Sequence, residues 1–65
     1  MFRMNQMVRH VKTGGEYKII GTPHRFRIEA TNQPAYAYTK SPVDKIWIRP
    51  QAEMEDGRFV WVTRA

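Results

Sequence analysis

Sixty-five residues suffice for one domain with a thin core, since a chain of this size buries only about 60% of its unfolded surface. The absence of cysteine excludes disulfides and a thiolate zinc site, and no stretch approaches the roughly 20 apolar residues of a membrane-spanning helix. Eleven Lys and Arg against six Asp and Glu leave a net charge of +5, which favours anionic partners, nucleic acid first, although the same charge also serves solubility alone.

Residues 1–6 carry no periodicity, turn signal or signal-peptide run, so a flexible lead is expected there and a single domain over 7–65. The lack of cysteine and of a signal peptide points to the cytoplasm. From Met7 to Lys12 the chain reads as extended, anchored by Val8 and Val11, and Thr13-Gly14-Gly15 is a turn because adjacent glycines permit positive φ. Glu16–Ile20 is rich in β-formers and predicts a strand, broken by Gly21-Thr22-Pro23. Arg25–Ala30 then alternates, with Phe26, Ile28 and Ala30 inward and Arg25, Arg27 and Glu29 outward.

Thr31–Pro34 turns the chain into Ala35–Lys40, where Tyr36 and Tyr38 share a face, and Ser41–Asp44 is a loop. Lys45–Arg49 is expected to seal the core with Ile46 and Ile48 while Lys45, Trp47 and Arg49 face outward. Pro50 ends that strand, since it has no N–H for a ladder bond, and opens a short helical turn over 50–54 in which Met54 fills the core. Asp56-Gly57 marks a tight turn before a closing strand over 58–63. Its faces are ambiguous, with Phe59 and Trp61 on one side and Val60 and Val62 on the other. Five short strands at this spacing predict an all-β fold, read as a five-stranded SH3-like barrel with one helical turn before the last strand.

Two blocks of the chain resemble the small bacterial and phage family catalogued as domain of unknown function 1653. Arg9-His10-Val11-Lys12 with Gly14, Gly15 and Tyr17 matches the first block, and Trp47-Ile48-Arg49-Pro50 with Met54 matches the second. The resemblance covers roughly residues 8–54. It departs where Val11 stands in place of an aromatic residue and Thr13 is an extra residue. It implies a compact SH3-like β fold and a phage or prophage origin, and no activity.

The chemistry-bearing pattern is basic and aromatic. Arg25 and Arg27 share one outward face, and Lys45, Trp47 and Arg49 share another. Arg and Lys neutralise phosphates, and an exposed Trp or Tyr stacks an unpaired base. The structural alternative folds Trp47 over the barrel edge, where Arg49 stacks on it or pairs with Glu16 or Glu29. Tyr36 and Tyr38 fit either the same platform or a core with hydroxyls at its rim, and both readings stay open.

His10 and His24, the only imidazoles, read as structural and as an exposed turn residue, without metal-ligand spacing. Glu53, Glu55 and Asp56 read as a solvated turn. No nucleophile, paired carboxylates or phosphate-cradling loop stands out, so neither enzyme activity nor a cofactor or metal is expected. The expected function is a small basic, non-enzymatic module that binds nucleic acid. The alternatives are a protein-interaction module, such as a phage-encoded modulator of a host protein, and a homo-oligomeric structural domain.

Overall fold

The computed structural model describes residues 1–40 and 45–62. Among these residues there are six strands: β1 Met7–His10, β2 Glu16–Gly21, β3 Arg27–Ile28, β4 Gln33–Thr39, β5 Ile46–Pro50 and β6 Phe59–Trp61. One short helix, α1 Gln51–Met54, joins β5 to β6. Every pairing is antiparallel: β1 with β2 and β6, and β4 with β2, β3 and β5. The protein is therefore a mostly β sheet structure, with a two-residue sixth strand beyond the five expected. Among the described residues no helix is long and apolar enough to cross a membrane.

Register explains which residues enter the core. Val8 lies opposite Tyr17, Ile19 opposite Tyr38, and His10 opposite Phe59, so alternate residues of these strands share one face. That face holds the core of Val8, Ile19, Tyr36, Tyr38, Met54 and Phe59, with Phe2 and Tyr17 packed against it. Met54 reaches it from α1, as expected of a gap-filling residue, and Pro50 stands just before the helix as its N-cap. On the reverse side of β4 the small residues Ala35, Ala37 and Thr39 are also buried. β4 is thus covered on both faces.

Several expectations change. In β5 the faces are inverted: Ile46 and Ile48 are 59% and 56% exposed, opposite Thr39 and Ala37, while Trp47 lies opposite Tyr38. The Trp47 ring packs nearly parallel to that of buried Tyr38, and with a period of two this turns the isoleucines outward. The alternating strand over 25–30 shrinks to Arg27–Ile28. The N–H groups of Arg25 and Phe26 both donate to Thr22 O, and those of Thr31 and Asn32 both donate to Ile28 O, so a turn closes each end. Phe26, expected inward on the strand, instead lays its ring over Gly21, where a Cβ would stand 2.3 Å from it, and stays 37% exposed. Val11 is exposed rather than an anchor; only its backbone is tied, donating to Arg58 O.

The lead over residues 1–6 is docked rather than loose. Phe2 N–H donates to the Tyr36 hydroxyl at 2.9 Å, Asn5 N–H donates to Ile19 O, and Ile19 N–H donates to Gln6 O. The expected loop over 41–44 and residue 63 of the closing strand lie outside the described residues. Positive φ at Gly14 and Gly57 falls where the two turn signals place it.

Candidate functional site

The face that holds the core also carries a cluster of rings. Trp47 and Tyr38 lie nearly parallel, 18° apart with centroids at 6.1 Å. Tyr17 from β2 meets both edge-on, at 5.5 Å from Trp47 and 5.3 Å from Tyr38. Phe59 packs edge-on against Tyr38 at 5.4 Å, and His10 meets Phe59 at 4.9 Å. Such arrangements add to the energy of plain area burial. Gly15 of the hairpin after β1 lies close to this cluster: a Cβ there would sit 3.2 Å from the Tyr17 hydroxyl oxygen.

Arg49 joins the rings to the charges. Its Nε donates to the Tyr38 hydroxyl at 3.2 Å, its guanidinium carbon lies 5.7 Å from the Phe59 centroid, and its Nη1 pairs with Glu53 Oε1 at 3.2 Å. The hydrogen bond to Tyr38, helped by Glu53 and opposed by burial, raises its pKa above the ordinary guanidinium value. Arg49 is a fixed cation. Arg58 shares the same Glu53 oxygen at 2.9 Å and reaches Asp56 at 3.2 Å.

Two clefts meet at His10 and Arg49. The smaller, about 190 Å³, is walled by Tyr17, Tyr38, Trp47 and Phe59 with Thr13. The larger, about 640 Å³, is walled by Val11, Lys12, Asp56, Gly57 and Arg58. Lys40 Nζ stands 5.7 Å from the Tyr17 ring centroid. Together they form one groove, aromatic at one end and basic at the other. Of the charged groups just named, Lys12, Lys40, Arg49 and Arg58 outnumber Glu53 and Asp56 by two.

The structure brings together only part of the predicted site. Trp47, 38% exposed, and Arg49 are in the groove, and Lys45 is exposed just before their strand. Tyr36 and Tyr38 are buried core residues, so neither offers an open ring face. Arg25 lines a separate cleft with His24 and Phe26. Arg27 pairs with Pro34 and donates to Asn32 O at 3.1 Å; neither arginine lines the groove. The structural alternative for Arg49 holds with a different partner, Glu53 in place of Glu16 or Glu29.

Sequence reasoning missed His10, Lys12, Tyr17, Lys40 and Arg58. A signal for His10 and Tyr17 exists: Gly14-Gly15 turns the chain so that His10 N–H donates to Gly15 O, and Tyr17 shares a face with Ile19.

A scan against family models, a search of curated proteins and a search of solved structures each return no match to the chain.

Proposed function

We propose that this protein is a non-enzymatic binding module that holds nucleic acid in the basic and aromatic groove. The observation that carries this reading is the junction at His10 and Arg49, where a half-exposed Trp47 opens beside a surplus of cations. Cations there neutralise phosphates, and the indole stacks on a base. The strand order β6-β1-β2-β4-β5 with α1 before the last strand supports an SH3-like barrel as the finer description. His10 and Tyr17 from the first of the two motif blocks and Trp47 and Arg49 from the second line a common wall of this groove.

Titration of tryptophan fluorescence with oligonucleotides tests this. Saturable quenching is expected, with modest salt dependence: two net cations at a slope of about −0.7 each predict roughly sevenfold weaker binding at 200 than at 50 mM salt. A flat titration at low salt would sink the reading.

A second reading, a protein-interaction or self-associating domain, is favoured by one observation. Ile46 and Ile48 expose apolar surface on the face opposite the groove. Sedimentation that depends on concentration, unaffected by salt, would support it.

A further inference from the structure

We propose that the groove selects single-stranded over duplex nucleic acid, seating one unstacked base against Trp47 while Lys12 and Lys40 take phosphates beside it. This rests on the nucleic-acid reading above and goes further, because the groove has few free cations. Arg49 and Arg58 share the Glu53 carboxylate, and Arg58 also pairs with Asp56. Their charge is already half spent within the protein. What remains is small beside the six to ten phosphate contacts of a typical duplex binder. Affinity must then come from the ring.

That ring is reachable only by an unpaired base. Tyr38 covers one face of Trp47 and Tyr17 closes on it edge-on. The remaining surface looks into a cleft of about 190 Å³ beneath the Thr13 hairpin. In a duplex both faces of each base are occupied by neighbours, so a base enters such a cleft only after extrusion, with loss of its pairing and stacking. A single strand carries no such penalty, and stacking is tolerant of base identity because every base has a π face. Deoxyribose and ribose strands share this chemistry.

The test compares a short dT oligonucleotide, the matching rU oligonucleotide and a mixed-sequence duplex of equal length at one salt concentration. The unmodified protein should bind at least one single strand about tenfold or more tightly than the duplex, and the tighter of dT and rU identifies the source. Trp47→Leu, which keeps apolar packing on Tyr38, should lose roughly 5- to 150-fold on the single strand and little on the duplex. Trp47→Phe, which keeps a ring, should retain most of the affinity and guards against misfolding of the leucine variant. Lys12→Ala with Lys40→Ala should weaken both ligands alike. Equal binding of duplex and single strand, or an equal loss on both in Trp47→Leu, overturns the preference while leaving nucleic-acid binding in place. No binding to any of the three removes both.

Discussion

The Tyr36 hydroxyl accepts a hydrogen bond from Phe2 N–H at 2.9 Å and donates one to Glu55 Oε2 at 2.5 Å. Burial first, and then Glu55, raise the phenol's pKa well above its ordinary value near 10. A raised folded-state pKa means that the folded protein holds this proton where the unfolded chain releases it. The contribution is therefore complete below about pH 10 and is lost as the pH climbs beyond it. Tyr36→Phe should cost about 1–2 kcal/mol at neutral pH, through the unmet Phe2 N–H and Glu55. Melting followed against pH should show a smaller alkaline decline in the variant than in the parent. Gly21 makes the opposite demand, for emptiness. With the Phe26 ring 2.3 Å from where a Cβ would stand, Gly21→Ala should destabilise by about 1–3 kcal/mol in urea unfolding, and Phe26→Leu in the same chain should recover part of the loss.

At the scale of elements, β5 shows how far a pattern of two can be read. Ile46-Trp47-Ile48-Arg49 alternates, and alternation alone assigns two faces without saying which is inside. The choice is made across the ladder, where Tyr38 meets Trp47 and Tyr36 meets Arg49. Ile48→Lys should therefore change stability by no more than about 0.5 kcal/mol, whereas Trp47→Ala should cost about 2 kcal/mol or more; chemical denaturation of both variants checks the assignment directly. The turns at Gly14 and Gly57, the helical turn and the burial of Met54 were legible because each rests on local chemistry. The segment over 25–30 was not. Its alternation is real, but turn bonds to Thr22 and Ile28 and the vacancy above Gly21 decide its shape. The same division runs through the groove: Trp47 and Arg49 stand out in one strand, while His10, Lys12 and Arg58 join them only through pairing of β1 with β2 and β6.

Across the whole molecule, the two faces of the sheet divide the two kinds of surface. One side of β5 turns Trp47 and Arg49 to the ring cluster, and the other exposes Ile46 and Ile48. The two proposed readings of function thus call on different surfaces. The docked lead belongs to the same domain, since residues 2, 5 and 6 bond to Tyr36 and Ile19 of the core. Removing residues 1–5 should lower the melting temperature and expose Tyr36 without altering the groove, a separation visible as weaker thermal stability with unchanged oligonucleotide affinity.

β4, buried on both faces and paired with β2 and β5 along Ala37–Thr39, also sets a clock. Its amides have neither an open edge nor an uncovered side through which a local fluctuation admits solvent, so they exchange only when the entire domain opens. In heavy water, Ala37 to Thr39 should still carry protium after the hairpin over 11–15 and the ends of β6 have turned over. The rate at which those last protons leave would report the global unfolding free energy of the chain without any denaturant.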